Sequence, residues 1–336
     1  MRIIDTIRNA ETFLILTHVG PDGDAVSSSM AMYYLLRTLG KQADNIEIYM
    51  PYVSKDLTFI DKENALNDKR KIINKDYDLV IIVDCSNYSR VEGIELLDKI
   101  NYKKTILIDH HELADNSIKV DCSLIDTSAS SCTCVIYNEF DEYLSRENSP
   151  FFNCIATGII SDTVNLTLNA TIQCKEILKY CQERGVDIEK IVNQLKPTDE
   201  RTQKLMNLVN ARLLIRNDIG YTYILQKDLV PEEFNLKRVN HKAIIQEILN
   251  SKECKTLILL IENNKHEIKG SMRTLEADID LNDICASMVE KGYFLQGGGH
   301  SNSAGFKKSI STETIATMKD VFEVLTKVIS KTNCKE

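Results

Sequence analysis

The 336-residue chain has no apolar run approaching the length of a membrane span, and its opening residues lack the charged head, apolar stretch and small-residue cleavage site of an export signal. A membrane or secreted protein is therefore not expected, and a cytoplasmic one is. There is no long basic run, and the formal net charge is −8. Both argue against gripping duplex nucleic acid through a basic face. A small anionic substrate fits that balance, because a few local cations and backbone amides suffice to hold it. The ten cysteines contain no Cys-x-x-Cys pair. Scattered through apolar patterns, as in Phe152-Asn153-Cys154-Ile155-Ala156, they read as reduced, buried small hydrophobes, not as disulfides or thiolate metal ligands. Even the closest spacing, Cys132-Thr133-Cys134, carries little functional signal.

What the chain does have is carboxylates and imidazoles at the ends of short apolar runs. Phe13-Leu14-Ile15-Leu16 leads into Thr17-His18-Val19-Gly20-Pro21-Asp22-Gly23-Asp24, Ile82-Val83 into Asp84, and Leu107-Ile108 into Asp109-His110-His111. Each run reads as a buried parallel strand, and open α/β sheets build their sites at the carboxyl ends of such strands. Taken singly, Pro-Asp-Gly-Asp is an ordinary turn, Asp84 a helix cap and the paired histidines surface residues. Their coincidence at one end of three strands decides the matter, since crowded carboxylates repel unless cations lie between them. Oxygen and imidazole donors in this number suit two ions of the magnesium or manganese type better than a thiolate-bound zinc.

The pattern predicts a helix over residues 25–37, ended by Gly40, then a strand at 46–50, a polar helical stretch to Lys75, and strands at 78–83 and 105–108. Helices are expected at about 130–144 and 151–160, the second leading into Ser161-Asp162-Thr163, which adds a carboxylate. Repeated strand, helix and strand give an α/β domain with a doubly wound parallel sheet over 1–186. Residues 187–216, with Pro197-Thr198-Asp199-Glu200, read as a helical linker with a capped break. A strand at 220–226, a helix at 240–249 and strands at 255–262 and 267–273 then mark a smaller α/β domain over 217–336. In it Arg273 ends a strand and suits a bidentate phosphate contact, and Gly297-Gly298-Gly299-His300 offers backbone amides to an anion. The plainer readings are a surface arginine and a flexible loop.

The full set, His18-x-x-x-Asp22-x-Asp24, Asp84, Asp109-His110-His111, Ser161-Asp162-Thr163 and Gly297-Gly298-Gly299-His300, closely resembles the DHH phosphoesterase family with its associated DHHA1 domain, over nearly the whole chain. Within that family it looks most like the stand-alone nanoRNase and phosphoadenosine-phosphate phosphatase branch. The resemblance implies hydrolysis of very short RNA to mononucleotides, with adenosine 3′,5′-bisphosphate as a further substrate. It implies two Mn²⁺ ions, with Mg²⁺ or Co²⁺ as substitutes. His18 and Asp22 would hold one ion, Asp24, His110 and Asp162 the other, and Asp84 would bridge them. His111 would act as acid or charge stabiliser, oriented by Asp109, while Arg273, Gly297, Gly298, Gly299 and His300 would grip the substrate. A cyclic di-AMP or linear dinucleotide phosphodiesterase shares all these residues and is the competing expectation. A non-hydrolysing nucleotide-binding regulator is disfavoured by the presence of Asp84 and both paired histidines, and a homodimer is left open. Two departures stand out. Val164-Asn165-Leu166 follows Thr163 where many relatives carry glycine, an aromatic and often a basic residue, which removes a stacking platform for a base. Ser303 replaces the usual alanine.

Overall fold

An uninterrupted apolar tetrapeptide suits a strand covered on both faces, and Phe13–Leu16 (β1) is buried at every position. The computed structural model describes residues 2–53, 55–66, 76–113, 117–144, 149–163, 165–166, 170–195, 200–229, 244–245, 248–249, 254–263, 266–310 and 313–332. In it β1 joins Ile46–Ile48 (β2), Asp76–Val83 (β3), Asn101–Asp109 (β4) and Cys122–Ile125 (β5) in a sheet ordered β2-β1-β3-β4-β5. Every pairing in it is parallel. The chain moves outward from β1 to β2 and returns to β3 on the other side of β1, so the switch point lies between β1 and β3. That is where doubly wound sheets place their ligands.

Alternation along the strands sorts the core into two faces. Phe13, Ile15, Leu79, Ile81, Val83, Ile106 and Ile108 pack with helices Ile3–Asn9 (α1), Gly23–Thr38 (α2), Cys132–Phe140 (α3), Ser149–Asp162 (α4) and Ile172–Glu183 (α5). Leu14, Leu16, Val80, Ile82 and Leu107 face the other way, toward Cys85, Val91 and Ile118. The β3-to-β4 connection there forms only the short 3-10 turns Tyr88–Arg90 and Ile94–Lys99. Helix α2 is buried from Gly23 to Leu36, because it lies between the sheet and α4. The strand expected at 46–50 is shorter, β3 and β4 begin earlier, and β5, half-buried and weakly apolar, carried no strand signal. Of the expected polar helix before Lys75, Lys55–Ile60 is a 3-10 segment and residues 67–75 lie outside the described residues.

The chain divides into two compact units, Met1–Lys196 and Pro197–Glu336. The division falls inside the segment read as a linker. Helix Ile188–Leu195 (α6) adds Ile191 to the core of the first unit, and Glu200–Ala211 (α7) adds Leu205, Met206 and Val209 to the second; Pro197, Thr198 and Asp199 lie outside the described residues.

In the second unit Leu214–Arg216 (β6), Ile219–Ile224 (β7), Thr256–Glu262 (β8), Glu267–Thr274 (β9), Gln296–His300 (β10) and Ser303–Ser309 (β11) form a sheet ordered β10-β11-β9-β8-β7-β6. Only β7 and β8 pair in parallel. Helices Leu281–Glu290 (α8) and Thr314–Thr332 (α9) cover one face. The other is covered by α7 and the buried residues 244, 245, 248 and 249, while the rest of the helix expected at 240–249 lies outside the described residues. The glycine string is an edge strand here and not a loop. Among the described residues no helix is long and apolar enough to cross a membrane. The described cysteines are free and buried, except half-buried Cys122, and Cys334 lies outside them.

Candidate metal centre

The first polar turn after β1 is held by the connection between β3 and β4. His18 bridges to Val91, Val19 N–H donates to the Arg90 carbonyl at 2.7 Å, and Glu92 N–H donates to the Thr17 carbonyl at 2.7 Å. Asp22 then caps α2: its Oδ1 accepts from Asp24 N–H at 3.1 Å and Ala25 N–H at 3.2 Å. That leaves Oδ2 to face His18 Nε2 at 3.7 Å. Asp24, in the first turn of α2, is fully buried. Past β3, Asp84 takes a left-handed φ of 56° while its N–H donates to the Ile108 carbonyl at 2.9 Å. Asp is among the few residues that tolerate this conformation. Asp109 ends β4, and its Oδ1 accepts from His110 N–H at 2.8 Å, His111 N–H at 3.2 Å and His111 Nδ1 at 2.7 Å. Asp162 is the last residue of α4.

The imidazole orientations follow from their partners. His18 Nδ1 lies 3.1 Å from the Val19 carbonyl and His110 Nδ1 lies 3.3 Å from the Ala129 carbonyl. A carbonyl only accepts, so each Nδ1 carries the proton and each Nε2 turns to the carboxylates. His18 Nε2 is 3.5 Å from Asp84 Oδ2. His110 Nε2 is 3.5 Å from Asp84 Oδ1, 3.4 Å from Asp162 Oδ2 and 4.0 Å from Asp24 Oδ2. These gaps exceed a normal hydrogen bond but suit donor atoms sharing an ion that lies about 2.1 Å from each. Asp84 is 3% exposed, divides its two oxygens between the two imidazoles, and keeps Oδ1 buried with no hydrogen-bond partner. Such an orphaned oxygen is costly unless a cation satisfies it.

Charge is similarly strained. Burial pushes the Asp24 carboxyl well above its ordinary range, reinforced by Asp84 and Asp162. Burial opposes charge on His110, yet Asp84, Asp162 and Asp24 outweigh it and lift the imidazolium to about 10. Burial likewise opposes charge on His18, and Asp84 and Asp22 overcome it in the same direction. Asp84 goes down despite its burial, because His110 and His18 face it. The group needs positive charge from somewhere, and the donor set fits two divalent ions. His18, Asp22 and Asp84 can converge on one, and Asp24, His110 and Asp162 on the other. His111 borders the same cluster: its Nδ1 is tied to Asp109 at 2.7 Å and lies 3.7 Å from Asp84 Oδ1, and its side chain is 35% exposed.

Sequence reasoning missed what holds Asp24. Its carboxylate accepts from Cys132 N–H at 2.6 Å, Thr133 N–H at 3.2 Å and the Thr133 hydroxyl at 2.9 Å, all at the start of α3. The run Ser130-Ser131-Cys132-Thr133 has the hydroxyl content of a helix start, which signals a cap but not its long-range partner.

In the second unit, cross-strand register sets Arg273 opposite Ser303 and Ser303 opposite His300. Directly paired residues share a face, so Arg273 and His300 occupy one row, roughly two strand spacings or ~10 Å apart. Gly298, Gly305 and Ser271 form the adjacent row on that face. Gly299 is required by packing: an added Cβ would fall 2.2 Å from the Ser303 carbonyl oxygen. Its amide, expected to be open to an anion, instead donates to Asn282 Oδ1 at 3.0 Å.

Residues 12–159 match the DHH family, N-terminal domain. Over 318 residues the chain is 24% identical to a Streptococcus mutans serotype c protein named probable bifunctional oligoribonuclease and PAP phosphatase NrnA, covering 93% of this chain and 96% of that one. A Mycoplasma genitalium protein named bifunctional oligoribonuclease and PAP phosphatase NrnA is 24% identical over 322 residues, with 92% and 93% covered. Among solved structures, that of an exopolyphosphatase-related protein from Bacteroides fragilis aligns with a TM-score of 0.76 at 19% identity, covering 98% of this chain and 96% of that one. That likeness speaks for the fold. The matched sequence span runs from just before β1 into α4 and contains His18, Asp22, Asp24, Asp84, Asp109, His110 and His111 but not Asp162, so residues 12–159 form a DHH family N-terminal domain.

Proposed function

We propose that this chain is a two-metal phosphoesterase that degrades short oligoribonucleotides to mononucleotides and removes the 3′-phosphate of adenosine 3′,5′-bisphosphate. The observation that carries the reading is Asp84, whose two oxygens each face a different imidazole while one of them is buried without a hydrogen bond. His18 and Asp22 would hold one ion, Asp24, His110 and Asp162 the second, and Asp84 both. Mixed imidazole and carboxylate donors favour manganese over magnesium. Two such ions, when bound, would supply Lewis acidity and an activated water for attack on the phosphate.

The protein's own contribution is orientation. Asp109 fixes the His111 ring through Nδ1 and leaves Nε2 to hold a proton toward the departing oxygen or to stabilise charge on the phosphate. Arg273, His300 and the backbone of Gly297 and Gly298 would bind the substrate's terminal phosphate or sugar, with Gly299, whose amide is taken by Asn282, allowing the close strand approach. The names of the full-length relatives support this substrate class.

Metal-stripped full-length protein should be inactive on a diribonucleotide and regain activity with Mn²⁺, and Asp84→Asn should be the most damaging single ligand change. Undiminished activity in either the stripped protein or that variant refutes the assignment.

A further inference from the structure

Asp24 sits at the bottom of the centre with no exposed surface, and the first turn of α3 closes over it. A carboxylate offers about four acceptor positions. Oδ1 receives Thr133 N–H and the Thr133 hydroxyl, and Oδ2 receives Cys132 N–H. One lone pair is left, on Oδ2, the oxygen that faces His110 Nε2 at 4.0 Å. The hydroxyl direction is also set. Ser131 Oγ accepts from Cys134 N–H at 3.1 Å and lies 2.8 Å from Thr133 Oγ1. With Thr133 donating to Asp24, Ser131 must donate to Thr133, so the relay points toward the carboxylate. From the other side α4 presses on the pair: a Cβ on Gly158 would fall 2.3 Å from Thr133 Oγ1 and 2.5 Å from Asp24 Oδ1.

We propose that Thr133 is a positioning residue for the ion held by Asp24, His110 and Asp162, acting by locking the Asp24 carboxylate so that a single oxygen is presented to that ion. The proposal rests on the two-ion reading above. Removing the hydroxyl frees a second acceptor position on Oδ1 and lets the carboxylate rotate. Loss of such an outer partner typically costs 10- to 100-fold in metal affinity.

Titration of the full-length, metal-free protein with Mn²⁺ alone, followed by calorimetry and by electron paramagnetic resonance, separates the possibilities. Wild type should take up two ions. Thr133→Val, nearly isosteric but without the hydroxyl, should weaken one of them by about 10- to 100-fold and leave the other unchanged, and its turnover should recover as Mn²⁺ is raised. Thr133→Ser should bind like wild type. Gly158→Ala keeps every donor and favours the helix, yet should weaken the same ion by displacing Asp24, so it serves if Thr133→Val folds poorly. If Thr133→Val and Gly158→Ala bind both ions as wild type does, or if both ions weaken together with the stability of the metal-free protein, the proposal fails while the two-ion reading stands. If wild type binds no Mn²⁺, the reading itself fails.

Discussion

Three histidines in the first unit each place Nδ1 against an oxygen, and the kind of oxygen separates their roles. His18 and His110 face backbone carbonyls, whereas His111 faces the buried Asp109 carboxylate at 2.7 Å. A carbonyl at Nδ1 orients the ring and turns Nε2 toward the carboxylates. The Asp109 carboxylate fixes the His111 ring through Nδ1, which suits the proton-handling role proposed for it. His111→Ala is therefore expected to lower turnover by about 10²-fold or more with metal content near normal, while His110→Ala loses one ion. Elemental analysis alongside kcat checks this, and the reverse pattern would exchange the two roles. The residues of this cluster were legible in the sequence because polar groups directly after apolar runs have few structural reasons to be there. The Thr133 contact to Asp24 was not, since it joins positions 109 residues apart that share no local pattern.

At the scale of elements, the buried parallel strands were readable from composition alone. Where the apolar signal is weak it failed: β5 is half-exposed, and β10 is built largely of glycine, whose lack of a side chain says loop as readily as strand. Pairing with β11 settles the latter through register, a long-range property. Long-range ties also anchor β3. The Asp78 carboxylate accepts from Glu11 N–H at 2.8 Å and Thr12 N–H at 3.2 Å and meets Lys103 Nζ at 2.6 Å. Lys103 and those amides hold its pKa down to about 2. A depressed carboxyl stabilises the fold above its unfolded pKa of roughly 4, and that contribution disappears as pH falls through about 2. Asp78→Asn should cost about 1 kcal/mol at neutral pH, the value of its backbone bonds, since the exposed Lys103 partner adds little. Urea denaturation should show the gap between variant and wild type closing from pH 4 toward pH 2. A gap that is constant over this range would show that Asp78 is not held ionised by these contacts.

For the whole molecule, charge is the deciding property. A net charge of −8 spread over 336 residues repels a long polyanion, and on the proposed function specific attraction would rest on a few groups such as the Arg273 and His300 row of the second unit. Tracking a long strand needs many phosphate contacts, each releasing counterions and steepening the salt dependence. A chain that offers few such contacts gains nothing from nucleotides beyond the first several, and pays the repulsion of every additional phosphate. RNAs of two to five nucleotides should accordingly be hydrolysed with a kcat/KM about 10-fold or more above that of a 20-mer, with a shallow salt dependence and with adenosine 3′,5′-bisphosphate as a slower substrate. Of residues 164–166 only Asn165 and Leu166 are described, both with left-handed backbone, and neither offers a ring for a base to stack on. Discrimination by length, not by base identity, is the expected signature. Equal kcat/KM for the dinucleotide and the 20-mer would refute the short-substrate reading, and faster turnover of cyclic di-AMP than of either would assign the chain to the competing cyclic-dinucleotide activity.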